Sequence, residues 1–224
     1  MSTSTVDALL PLSLLEAVRD VDTPEGEYDS EYVDELKSKR LGLSDTVYTQ
    51  IRRYTDASRR GVRVPLDEAV ALARLIGRRT DAPVVFREAG RYLARETYKT
   101  ISPFTRQMMR GLPSLMARPI ALRRARRIAE RYLTGRLTRV GNSLLLEVRD
   151  DDSATLGTAP RAAGCTYYES ALRELLRLLV GGVGAVEHVH CVERGEGRCE
   201  WRAEWRPMDV RPEMDEAALA AAER

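Results

Sequence analysis

Apolar residues in the first third of the chain recur at helical rather than strand spacing. Leu9, Leu10, Leu12, Leu14, Leu15 and Val18 make a short apolar stretch within residues 7–19. Pro11 interrupts it and suits the first turn of a helix better than its middle, and Ser13 is a candidate cap. Thr23-Pro24-Glu25-Gly26 reads as a loop. A helix is expected over residues 30–41, capped by Ser30 and ending at Gly42. A second is expected from Ser44 or Asp45, with Val47, Ile51 and Tyr54 on one face. A third follows Pro65, with Leu66, Ala69, Val70, Ala73, Leu75 and Ile76 at helical spacing. This front part is expected to be all-helical.

After Asp81-Ala82-Pro83 the pattern predicts a helix over 84–100, with Val85, Ala89, Tyr92, Leu93 and Tyr98 available for packing. Ser102-Pro103 opens another over 103–111. Residues 117–134 form an amphipathic helix, with Ile120, Ala125, Ile128, Ala129, Tyr132 and Leu133 on one face and arginines on the other. The period then changes. Residues 135–149 carry Leu137, Val140, Leu144, Leu145, Leu146 and Val148 around Gly141-Asn142, the pattern of a hairpin. A Leu-rich helix over 166–180 follows Cys165. Residues 185–193 and 198–206 alternate as a second hairpin about Arg194-Gly195-Glu196-Gly197, with Trp201, Ala203 and Trp205 on one strand face. The expected fold is α/β of the α+β kind: an antiparallel sheet of two hairpins packed against several helices, with a helical N-terminal extension. The expected domains are that extension (1–80), a compact unit (81–206) and a flexible tail (207–224).

Charge is nearly balanced overall, at a formal +2, but unevenly placed. Residues 20–35 hold eight acids and no base, and residues 118–139 hold eight arginines and one acid. Blocks of one sign are most often solvated faces. No apolar run approaches the ~20 residues needed to span a bilayer. Met1 to Leu15 lacks a basic leader and a small-residue cleavage site, so a cytoplasmic location is expected.

The chain has three cysteines and two histidines, all between residues 165 and 199. Cys165 precedes a helix, His188 and Cys191 stand near the end of a strand, and Cys199 begins its hairpin partner. Three thiolates and one imidazole suit tetrahedral Zn²⁺. With four protein ligands no position remains for a substrate, so the expected role is structural. His190 is the alternative to His188, since both would point to one strand face. Small buried cysteines without a metal are the plainer reading.

These residues also resemble a family. Cys165-Thr-Tyr-Tyr-Glu169, the Leu-rich helix, Val186 to Cys191, and Gly195-Glu-Gly-Arg-Cys-Glu-Trp201 are similar to the 4-vinyl reductase domain. That family includes ligand-sensing domains of aromatic-responsive activators and bacteriochlorophyll-pathway proteins. Cys165, Cys191 and Cys199 match its three zinc-binding cysteines, and His188 stands where the family has a glutamate. Phe86 to Gly90, and Ile101 to Pro113 with the arginine-bearing helix after it, resemble it more loosely. The resemblance implies a mixed α/β fold, a homodimer, and an apolar pocket between sheet and helices. Phe104, Met108, Met109, Leu112, Met116, Tyr132, Leu144 and Leu146 are the candidate pocket residues; the plainer reading of such stripes is core packing.

The leading expectation is a sensory protein that binds a small hydrophobic or aromatic ligand, carries structural zinc, and signals through a protein partner. It has no Gly-rich phosphate loop and no nicotinamide fingerprint, so chemistry of its own is not expected. One alternative is a tetrapyrrole-binding accessory protein, with Arg123, Arg124, Arg126, Arg127 and Arg131 holding propionates. The other is a DNA-binding regulator, using Arg52, Arg53, Arg59, Arg60, Arg63 and the 118–139 helix. A weak likeness to a helix-turn-helix, through Arg59-Arg60-Gly61, belongs with that alternative.

Overall fold

The computed structural model describes residues 4–23, 41–112, 114–149, 163–180 and 184–204. The helix expected over 30–41, Trp205 and the tail after it lie outside the described residues. Seven α-helices are described: α1 (Leu9–Asp22), α2 (Asp45–Arg59), α3 (Leu66–Ile76), α4 (Ala82–Lys99), α5 (Pro103–Gly111), α6 (Ser114–Tyr132) and α7 (Cys165–Val180). Six strands accompany them: β1 (Thr5–Asp7), β2 (Arg63–Pro65), β3 (Arg136–Val140), β4 (Ser143–Arg149), β5 (Val186–His190) and β6 (Arg198–Glu204). The architecture is α+β, with one four-stranded and one two-stranded antiparallel sheet.

The larger sheet runs β3-β4-β6-β5. Each predicted hairpin forms, and β4 joins them by pairing with β6. Strand alternation sorts the side chains. Leu144, Leu146 and Val148 sit opposite Ala203, Trp201 and Cys199, and all six are buried. Leu145 and Glu147 face Arg202 and Glu200 on the other side. One face of the sheet is thus apolar and the other largely polar, as expected when helices cover a single face.

Helices stack from that face outward. α7 lies against β5 and β6, α4 against α7, α1 against α4, and α2 against α1. The α4–α7 crossing is close because Gly90 has no side chain; a Cβ there would stand 2.1 Å from Ser170 Oγ. α1 is buried on nearly every side, from Leu9 to Val18. A helix apolar all round belongs inside a core, and one continuous core runs from Val6 to Ala203. The boundary expected at residue 80 therefore coincides with no break in packing.

Two local expectations are corrected. The front part is not all-helical, since β1 and β2 pair as a short antiparallel ribbon. Ser13 does not cap α1. Its hydroxyl donates to the Leu10 carbonyl at 2.7 Å and lies 3.4 Å from the Tyr167 hydroxyl. The first turn is served instead by Asp7, whose carboxylate accepts from the Leu9 N–H at 3.1 Å. Ser44 does cap α2, accepting from the Val47 N–H, and Pro11 does sit in the first turn of α1. Asp22, at the end of α1, receives two bonds from the Arg79 guanidinium, at 2.6 and 3.0 Å, and one from the Gly42 N–H at 2.8 Å.

Candidate metal centre

Cys165, His188, Cys191 and Cys199 come from three separate elements. Cys165 is the first residue of α7, which starts after a turn at Ala163–Gly164 where the Thr166 N–H and hydroxyl both bond to the Ala163 carbonyl. His188 lies on β5 and Cys199 on β6, the two strands of the second hairpin. Cys191 follows β5 directly.

An unbroken strand would turn His188 and Cys191 to opposite faces, because they are three positions apart. The pairing breaks that alternation. His188 sits opposite Trp201, but His190 sits opposite Glu200, so two residues of β5 are spanned by one step of β6. This bulge twists the strand end, and a short 3-10 turn over Val192–Arg194 follows. Both residues then reach one place.

The hairpin end is held by its own backbone. Gly195 and Gly197 adopt φ values of +79° and +68°, a left-handed region that costs a side chain strain. Glu196 between them accepts from the Cys191 N–H at 2.6 Å, and Cys199 Sγ accepts from the Val192 N–H at 3.5 Å. The Cys191 N–H bond, then the guanidinium of Arg194 and the ring of His190, hold the Glu196 carboxyl below its usual range. The sequence marks Glu196 only by its place between the two turn glycines, which says nothing of its bond to Cys191.

The four ligand atoms lie within 4.8 Å of one another, close enough to hold a metal ion. Cys165 and Cys191 Sγ are 4.0 Å apart, and all three cysteines are free and buried. Sulfurs bound tetrahedrally to one zinc at ~2.3 Å would sit about 3.8 Å apart, whereas a disulfide needs about 2 Å. The spacing fits a shared cation and not a bridge. One ring nitrogen of His188, Nε2, is buried without a hydrogen-bond partner among the described residues.

Crowding splits the thiols. The Cys165 thiol is pushed well up by its hydrogen bond to Cys199, by burial, and by the neighbouring sulfurs. Cys199 is pulled down, chiefly by that same hydrogen bond, against the opposing pull of burial and with help from His188 and the Val192 N–H.

An aromatic column backs the cluster. The His188 ring stacks on Trp201, Trp201 packs against Tyr168 at 4.9 Å, and Tyr168 meets Tyr167 edge-on at 5.4 Å. Tyr167 in turn reaches Ser13 on α1. His190, the alternative ligand, is turned away by the bulge and stands 3.5 Å from Glu196.

The eight apolar candidates do not share one wall. Phe104 on α5 and Met116 on α6 are 71% and 61% exposed, and Met108 on α5 is exposed as well. Met109, Leu144 and Leu146 are buried in the core. Leu112 is half-buried, and Tyr132 lies at the core edge under the Arg131 guanidinium. Arg131 of the basic helix is engaged with Asp7 at 3.1 Å. Among the described residues no helix is long and apolar enough to cross a membrane.

No family model matches the chain, and neither a curated protein nor a solved structure does.

Proposed function

We propose that this chain is a ligand-binding, sensory protein of the 4-vinyl reductase kind, whose Cys165, His188, Cys191 and Cys199 hold a structural Zn²⁺. The observation that carries the reading is the convergence of three sulfurs and one imidazole within 4.8 Å. That donor set is soft, tetrahedral in number and closed to substrate. The side chains therefore bind and orient rather than react. Cys165 ties the start of α7 to the sheet, and Cys191 and Cys199 clamp the β5–β6 turn.

The ligand-binding part of the proposal rests on the resemblance carried by residues 165–201 and on the α+β arrangement of helices over one sheet face. The ligand is a small hydrophobic or aromatic molecule, and the output passes to a protein partner. Native mass spectrometry of the full chain from its own host tests both parts. The expected spectrum shows one zinc ion per chain together with an apolar small molecule. A folded, metal-free chain would overturn the zinc assignment, and a zinc-loaded chain with no retained or added aromatic ligand would overturn the sensory one.

A further inference from the structure

A cleft of about 320 Å³ opens along the crossing of α4 and α7. Its lining includes five arginines, Arg87, Arg91, Arg95, Arg173 and Arg177, against two glutamates, Glu169 and Glu174. Helical spacing explains the arrangement. Arg87, Arg91 and Arg95 stand on successive turns of α4, over about 12 Å, and Arg173 and Arg177 form a matching pair on α7. Gly90 brings the helices so close that the two rows face each other across one depression.

The acids do not consume this charge. Glu174 serves both Arg95 and Arg177, at 3.2 and 2.7 Å, and Glu169 serves Arg173 at 2.8 Å. Arg91 pairs with Glu88 outside the lining. Arg87 is exposed and makes no ion pair among the described residues. Because the whole chain is near neutral, this excess is local rather than a general attraction for anions.

We propose that the α4–α7 cleft binds a compact small molecule bearing two or more oxyanion groups, phosphate or carboxylate. Guanidinium groups take such oxygens in pairs, through two parallel charge-assisted hydrogen bonds. A concave site gripped from two sides suits a small polyanion; helix-based readers of duplex DNA instead project a helix into the major groove. The volume is at the low end of small-molecule sites, roughly 300–1,000 Å³. None of the four cluster residues lines the cleft, and the inference does not depend on zinc.

Isothermal titration of the full chain tests it, with tripolyphosphate and citrate as separate probes and a short DNA duplex as a third. Saturable one-site binding of tripolyphosphate or citrate is expected, and the stronger of the two names the oxyanion. The Arg87→Gln/Arg91→Gln double variant should bind about tenfold more weakly, the scale expected for lost charge-assisted bonds. Arg136→Gln/Arg139→Gln, on β3, should leave the affinity unchanged. If the double variant melts lower than the parent, Arg87→Gln alone gives the same reading, since Arg87 supports no ion pair among the described residues. No saturable binding up to about 1 mM, equal affinity in the Arg87 variants, or tighter binding of the duplex than of either small anion would each overturn the proposal.

Discussion

The imidazole of His188 lies flat on the indole of Trp201, with ring centroids 4.7 Å apart and planes 7° from parallel. Any change at the cysteine cluster that moves the histidine ring must therefore alter the surroundings of the indole. Removing metal with a chelator should shift tryptophan emission, and Trp201→Phe should abolish the shift while zinc content stays at one ion per chain. An unchanged shift in that variant would place its origin elsewhere. Trp201 is fully buried, so Trp201→Ala should cost about 3–5 kcal/mol in denaturant unfolding.

Cys199→Ala should eliminate bound zinc and lower the melting temperature, because metal binding of this kind is part of the folding free energy. His190→Ala, at the residue turned toward Glu196, should keep the metal. Elemental analysis of both variants reads the difference, and full zinc content in Cys199→Ala would end the four-ligand assignment.

Gly90→Ala should destabilise the whole molecule. The added carbon would stand 2.3 Å from the Tyr167 carbonyl oxygen, which is backbone and cannot swing aside. Overpacking of this kind costs about 1–3 kcal/mol, and each kcal/mol lowers the melting temperature by roughly 2–4 °C in a chain of this size. Calorimetry that finds no change would mean α4 and α7 do not cross at this position.

Glu16 provides a pH signature. Burial raises its pKa above the ordinary carboxyl value, with Asp20 and Glu96 adding to the effect and Arg19 opposing it. The folded chain then holds a proton that the unfolded chain has released, so this group's contribution to stability falls as pH rises from about 4.5 through the folded value. Glu16→Gln should remove that dependence and leave the protein no less stable at neutral pH. Parallel stability curves for parent and variant across this window would refute the account.

Helices and hairpins were legible because each buries one face at a fixed period. The runs through Val47, Ile51 and Tyr54, and through Leu144, Leu146 and Val148, show this directly. The β1–β2 ribbon was not, because three residues per strand are too few to display alternation. Ser13 looked like a cap because caps are recognised by residue type. Its hydroxyl bonds back to the Leu10 carbonyl instead, and its other neighbour, the Tyr167 hydroxyl, is 154 positions away where no local pattern reveals it.

The Cys–His cluster was legible as a set of residue types, and the choice between His188 and His190 was not. Both are histidines on one strand, and only the bulge beside Val189 separates them. A bulge adds a residue without leaving a periodic trace. The apolar stripes on α5 and β4 looked alike in sequence, yet Phe104 reaches solvent and Leu144 does not. Periodicity tells which residues share a face; it does not tell what that face meets.

Because α1 is threaded into the interior beside α4, the described part of the first eighty residues is not a detachable appendage. A fragment beginning at residue 81 would lay bare the side of α4 that α1 shelters, and Tyr167 would lose its hydroxyl neighbour. The smallest piece that could be transplanted into another protein, or duplicated within one, thus starts at β1 and carries both ends of the described chain.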